Sequence, residues 1–243
     1  MEPQARVKVS QLKVSCEDCN LHELCFPHGM SGSEMAKLDN VVKQRRPLQK
    51  NELLYRDGDL ADALYAVRSG SLKTAAESSN GDEQIVGFHL AGEIVGLDGF
   101  GSGDYSCNAV ALETTSVCVL PLDQLEDLCR MMPGLQKQMR RIMGKEVTED
   151  HRLLLMLGKM SAEERLASFL LSFSSRMKER HWKSDEFVLS MPRQDIANYL
   201  GVAVETVSRL FARYQDDGII AVDRRRISIL DMEKLKSIVG DCG

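Results

Sequence analysis

Between Leu48 and Pro121 the chain cannot run far in one direction, because a turn rich in glycine or aspartate interrupts it about every ten residues. Asp57-Gly58-Asp59, Ser69-Gly70-Ser71, Asn80-Gly81-Asp82, Ala91-Gly92-Glu93 and the stretch from Gly99 to Gly103 supply those turns. The segments between them are short apolar runs, Leu53–Tyr55, Ala63–Val67, Ile85–Phe88 and Ser116–Leu120. Such spacing leaves no room for ordinary helices and predicts a small antiparallel barrel or roll. Asn80-Gly81 is its strongest hairpin signal.

Helical patterning flanks this region. Ser33 to Lys43 reads as a short helix, with Met35, Leu38 and Val42 at helical spacing. From Pro133 to Lys159 no proline interrupts a long run; Pro133 suits a first helical turn, and Gly144 weakens the middle. Met139, Met143, Val147, Asp150, Leu154 and Leu157 advance by four or three residues, the seam of a coiled coil. Part of that stripe is expected to pack on the chain's own β domain and the rest on a second copy. Asp150 would then face its counterpart across a two-fold axis, a repulsive and desolvated pair unless it turns out to water.

Ser161 with Glu164 three residues on forms a capping box for a helix reaching about Glu179, whose buried face is Leu166, Phe169, Leu170 and Phe173. A strand is expected at Phe187–Ser190. Arg193–Leu200 and Val204–Tyr214 are then two amphipathic helices joined across Gly201, the signature of a helix-turn-helix. Ile196, Leu200, Val202, Val207 and Leu210 are placed to pack the pair together. Glu205, Ser208, Arg209 and Arg213 project from the far face of the second helix, where arginine can pair with guanine and glutamate with cytosine. Asp223 to Leu230 fits a hairpin wing, with Arg224, Arg225 and Arg226 near backbone phosphates. The fold class is α+β: a β-roll over 31–132, a dimerisation helix over 133–160 and a winged helix-turn-helix over 161–243.

Residues 1–30 carry the chemistry. Cys16, Cys19 and Cys25 fall within ten residues in the pattern C-x2-C-x5-C, close enough to face one metal centre from one loop. Soft sulfur ligation selects zinc, copper(I) or an iron–sulfur cluster. The blander alternative is three small buried hydrophobes. A disulfide framework is disfavoured by the odd total of seven cysteines. Spacing alone does not choose a fourth ligand among Cys107, Cys118, Cys129 and Cys242. A redox enzyme would need a base and a cleft beside the thiols, and His22 and His28 read as solvated rather than catalytic; no enzyme activity is expected.

No apolar run approaches the roughly 18 residues of a membrane span, and Met1–Arg6 lacks the order of a signal peptide. A soluble, reducing, cytoplasmic setting is expected, where cysteine clusters mean metal or redox chemistry. The net charge of −5 argues against a protein that coats nucleic acid but not against local docking.

Together the order of cysteine loop, β-roll, long helix and helix-turn-helix resembles the FNR branch of the CRP/FNR transcription regulators over nearly the whole chain. The stretches that carry the likeness are Cys16–Cys25, Gly81-Asp-Glu-Gln-Ile85, Gly87-Phe-His-Leu-Ala-Gly92, Ala162-Glu-Glu-Arg-Leu-Ala167 and Val204-Glu-Thr-Val-Ser-Arg209. The resemblance implies a roll of the cyclic-nucleotide-binding type and an oxygen-labile 4Fe–4S cluster on Cys16, Cys19, Cys25 and Cys118. It further implies a homodimer with Asp150 on its helix, dissociating as oxygen degrades the cluster, and two-fold operators with TTGAT-like half-sites in double-stranded DNA. Glu205, Ser208 and Arg209 would read bases, while Ser69, Gly81, Asp82 and Thr114 match surfaces that touch RNA polymerase. Cyclic nucleotide is not expected: no Lys or Arg lies between Lys73 and Arg130, whereas ten Asp and Glu do. A zinc-stabilised DNA-binding protein with a purely structural cysteine site is the alternative.

Overall fold

The computed structural model describes residues 15–240. The expectations at Met1–Arg6 and at Cys242 lie outside the described residues. In chain order the elements are α1 (Gly32–Val41), β1 (Lys43–Gln44), β2 (Leu53–Tyr55), β3 (Ala63–Ser69), β4 (Ser71–Glu77), β5 (Glu83–Leu90), β6 (Ile94–Val95), α2 (Gly99–Ser102), β7 (Asn108–Ala111), β8 (Ser116–Pro121), α3 (Leu122–Met131), α4 (Pro133–Lys159), α5 (Ala162–Glu179), β9 (Glu186–Val188), α6 (Arg193–Leu200), α7 (Val204–Asp216), β10 (Ile220–Asp223), β11 (Arg226–Ile229) and α8 (Met232–Val239). Among the described residues no helix is long and apolar enough to cross a membrane.

Two compact units emerge among the described residues, one of 15–74 with 88–143, the other of 75–87 with 144–240. Two four-stranded sheets have the strand orders β1-β8-β3-β6 and β2-β7-β4-β5. Strand β3 is buried on both faces because alternate side chains serve two cores. Ala63, Tyr65 and Val67 join Leu48, Leu72, Ala109, Ala111 and Val117 in the core inside the roll. Leu64 and Ala66 belong to a second core with Phe26, Leu38, Leu120, Leu125, Leu128, Met132, Leu135 and Met139, from the cysteine loop and helices α1, α3 and α4. The expected hairpin at Asn80-Gly81 forms, closed by Gly81 N–H to the Ser78 carbonyl (2.9 Å), with Gly81 at φ +82°.

In the second unit Ser161 caps α5, accepting from the Glu164 amide while the Glu164 carboxylate accepts from the Ser161 amide (2.7 Å). Leu166, Phe169, Leu170 and Phe173 are all buried. Tyr214 of α7 donates to the Glu163 carbonyl (2.9 Å), and β10, β11 and β9 form a three-stranded antiparallel wing. The wing strand runs over Glu186–Val188, earlier than the expected Phe187–Ser190.

Helices α3 and α8 were not anticipated. The signal for α3 is present, Leu122, Leu125 and Leu128 recurring every three residues, but it runs straight into Pro133. That of α8 is the Asp231 carboxylate accepting from the Lys234 amide (2.9 Å).

Gly70 (φ +80°) is required twice over, by its backbone and by the approach of the 114–115 turn: a β-carbon there would lie 2.6 Å from the Thr114 carbonyl oxygen. Gly58 has the same backbone (φ +81°) with nothing near it. Gly70→Ala should therefore cost more stability than Gly58→Ala, about 1–3 kcal/mol beyond it, as read from urea unfolding midpoints of the two variants.

Candidate metal loop and nucleic-acid interface

The cysteine loop is a chain of short turns. Cys25 N–H donates to the Leu21 carbonyl (3.1 Å), His22 N–H to the Cys19 carbonyl (3.1 Å) and His28 N–H to the Cys25 carbonyl (3.3 Å). Asp39 on α1 anchors its start, accepting from the Cys16 amide (3.1 Å). Phe26 is buried in the core shared with Leu135 and Met139 of α4. Gln138 of α4, itself buried, donates from Nε2 to the Cys25 carbonyl (3.1 Å). Gly92 (φ +91°) leaves room for Leu24, whose Cβ would be 2.9 Å from an added β-carbon.

Cys118 enters from the middle of β8, opposite Ala66 of β3 and Gln44 of β1. Burial raises the Cys16 thiol to about 12, with Asp39, Cys118 and Cys19 adding to the shift. Burial also raises Cys25, reinforced by Cys118, Cys16 and Cys19. Cys118 is raised by burial too; Arg68 opposes the shift, and Cys19 and Asp39 add to it. Cys16, Cys25 and Cys118 are thus all raised, and Cys19 adds to each shift. Cys107 adds, after burial and Asp98, to the raised pKa of Tyr55. Cys129 is raised by burial and then by Glu126.

The described cysteines are free, and among the described residues no three His, Cys, Asp or Glu side chains stand in a ready coordination geometry. By donor chemistry the four thiols fit a thiophilic group such as zinc or an iron–sulfur cluster. Forming thiolates at Cys16, Cys25 and Cys118 without a cation is opposed by burial first and by the neighbouring thiols. The two histidines differ. The Nδ1 of His22 lies 2.8 Å from the Cys19 carbonyl, whereas His28, expected to be solvated, is half-buried with its Nδ1 shielded and without a partner. Neither meets the geometry of a catalytic base.

The reading face of the second unit is assembled by α6 and α7. Ile196, Leu200, Val207 and Leu210 are buried between the helices and Val202 is half-buried. Gly201 turns the chain at φ +62°, and a β-carbon there would lie 3.2 Å from Leu157 Cδ2 and 3.3 Å from Arg165 Nη1. Glu205, Ser208, Arg209 and Arg213 are all exposed on α7. Among the described residues Arg209 makes no ion pair and has a long contact to Thr206 Oγ1 (3.5 Å), while Ser208 donates to the Val204 carbonyl (2.9 Å). Arg213 is held in an ion pair with Glu163. In the wing, Arg226 pairs with Glu186, and Arg224 and Arg225 are exposed in the turn.

The sequence reading missed Arg193. Its guanidinium lies 3.3 Å from the centroid of the Phe211 ring, and burial lowers its pKa to about 10. Among the described residues no ion pair of Arg193 is seen, and a half-buried cation stands at the start of α6.

Along α4 the expected seam divides. Met139 is buried in its own unit's core, Met143, Val147, Asp150 and Leu154 are exposed, and Leu157 is half-buried against the Gly201 turn. Ser69 and Thr114 are exposed neighbours around Gly70, and Gly81 and Asp82 are exposed at the β4–β5 tip.

Two family models match the chain: a cyclic nucleotide-binding domain over residues 45–131 and a Crp-like helix-turn-helix domain over residues 164–238. Among curated proteins the chain is similar to the transcriptional activator protein Anr of Pseudomonas protegens, 46% identical and covering 93% of this chain and 92% of that one. It is 43% identical to the fumarate and nitrate reduction regulatory protein of Escherichia coli, over 97% and 94% of the two chains. Among solved structures it resembles FixK2 of Bradyrhizobium japonicum, with a TM-score of 0.77, 27% identity and coverage of 84% of this chain and 100% of that one.

Gln138→Leu keeps the volume of the side chain but leaves the Cys25 carbonyl with only the longer bond from the His28 amide (3.3 Å). The expected loss is about 0.5–1.5 kcal/mol, measurable by urea denaturation, with faster alkylation of the loop thiols as a second readout.

Proposed function

Because the chain belongs to the Anr/FNR family of CRP/FNR-type transcription regulators, we propose that this DNA-binding regulator responds to oxygen through a 4Fe–4S cluster held by Cys16, Cys19, Cys25 and Cys118. The observation that carries the reading is that Cys118, from the middle of β8, and Cys25 of the loop pack against one apolar core. When bound, the cluster supplies an oxygen-labile, thiolate-ligated iron core. The chain's own part is to gather the ligands and to tie them to α4. Phe26 packs in one core with Leu135 and Met139, and Gln138 holds the Cys25 carbonyl. A change in the loop therefore reaches the helix that carries the seam.

Homodimerisation is proposed along Met143, Val147, Asp150, Leu154 and Leu157. The exposure of Met143 (45%), Val147 (52%) and Leu154 (68%) supports it, since a solvated apolar stripe at coiled-coil spacing gains by burial against a second copy. Paired Asp150 carboxylates would keep that dimer weak enough to be controlled from the loop. Two recognition helices roughly 34 Å apart would read inverted TTGAT half-sites through Glu205, Ser208 and Arg209, with Arg193, Arg213 and the wing arginines on phosphates. Ser69, Gly81, Asp82 and Thr114 are proposed to meet RNA polymerase, and the setting is the cytoplasm.

No cyclic nucleotide is proposed to bind. The roll's interior holds the stacked Tyr55 and Tyr105 rings (centroids 3.8 Å apart), and no Lys or Arg between Lys73 and Arg130 would meet a phosphate.

Purified anaerobically, the protein should show a broad brown visible absorption that fades when air is admitted. A colourless, air-indifferent protein would replace the cluster with structural zinc. Arg209→Ala should weaken operator binding by about 1–3 kcal/mol and relax discrimination at one base pair per half-site. Unchanged specificity in a competition series of substituted duplexes would remove Arg209 from the reading set.

A further inference from the structure

Strand β5 is the edge of its sheet, so the peptide groups on its free side need partners from elsewhere. Its first residues belong to the same compact unit as α6, and there they meet Asn198. The Asn198 Oδ1 accepts from the Ile85 amide (2.6 Å), and its Nδ2 donates to the Glu83 carbonyl (2.7 Å). The carboxamide thus pairs with the strand edge as a peptide unit of an added strand would. Gln84 completes the contact, its Nε2 donating to the carbonyls of Asn198 (2.9 Å) and Ile85 (3.0 Å).

Two residues further along α6 a second grip acts. Arg165 donates from Nη1 to the Leu200 carbonyl (2.8 Å), from Nη2 to the Leu157 carbonyl (2.8 Å) and from Nε to the Met160 carbonyl (2.9 Å). One guanidinium therefore satisfies chain-end carbonyls of both α4 and α6, which have no partners within their own helices. The two grips hold α6 at Asn198 and at its C-terminal residue, Leu200.

We propose that Asn198 and Gln84 are positioning residues for DNA recognition. Through the 83–85 strand edge they hold α6, and with it the recognition helix α7 packed on α6, at the tilt that a two-fold operator requires. Gln84 and Ile85 of the Gly81–Ile85 stretch then serve the reading head from within. The inference rests on the dimeric, operator-binding reading above. Without the grip, the cost of ordering the reading head falls on DNA binding itself. A looser head also tolerates half-sites at the wrong separation.

The test uses the full-length, anaerobically purified protein and fluorescently labelled duplexes carrying two inverted TTGAT half-sites, at the natural spacing and with one base pair inserted. Asn198→Ala should bind the natural spacing about tenfold more weakly, with a smaller penalty for the insertion than the parent protein shows. Gln84→Ala, which leaves α6 untouched, should move both readouts the same way by less, and it decides the matter if Asn198→Ala does not fold. Unchanged affinity and spacing preference, or tighter binding, in a folded Asn198→Ala or in Gln84→Ala would overturn the proposal. If the parent protein binds no two-fold site, the dimeric reading fails by itself. The contact is then judged by amide exchange at Ile85, which should be protected in the parent and quick in Asn198→Ala, and equal exchange in both would overturn it.

Discussion

The two-sided burial of β3 is the constraint on which the N-terminal unit depends. A strand alternates its side chains, so residues 63, 65 and 67 fill the roll while 64 and 66 face the helical layer. A shift of one residue in register would exchange the two sets, putting Tyr65 against the helices and Leu64 inside the roll. The same register places Cys118 of β8 opposite Ala66, on the side where Phe26 and the cysteine loop pack. One pairing thus builds the core and brings the distant thiol to the loop.

From that layer the loop's state reaches α4 by short steps. Phe26 shares a core with Leu135 and Met139, and the buried Gln138 side chain adds a polar link to the Cys25 carbonyl. Burial makes the Cys16, Cys25 and Cys118 thiols resist ionisation, and the helix beside them carries an exposed apolar stripe. The hairpin tip and Arg165 act at the other end of the problem, where α6 must be held before α7 can read.

Much of this was legible from local patterning. The bounds of α4, the capping box at Ser161 and the helix pair around Gly201 follow from periodicity and turn chemistry, which depend on near neighbours in sequence. Helix α3 was missed although its leucines recur correctly, because Pro133 drew attention to the following element. Arg193 was read only as the first residue of α6; its stacking on Phe211 joins residues on two helices and has no local signal. The same holds for Gln138 and Asn198, polar residues on helices that sequence alone would leave to solvent.

The sequence by itself determined the class of fold, the three thiols of the loop and the reading face of α7, because each is written in spacings of two to five residues. Only the tertiary structure decided which part of the α4 stripe is spent on its own core and what the Gly81–Ile85 stretch touches. Those outcomes depend on strand register and on hydrogen bonds between residues more than a hundred positions apart, where no local preference selects the partner and the need to satisfy buried polar groups does.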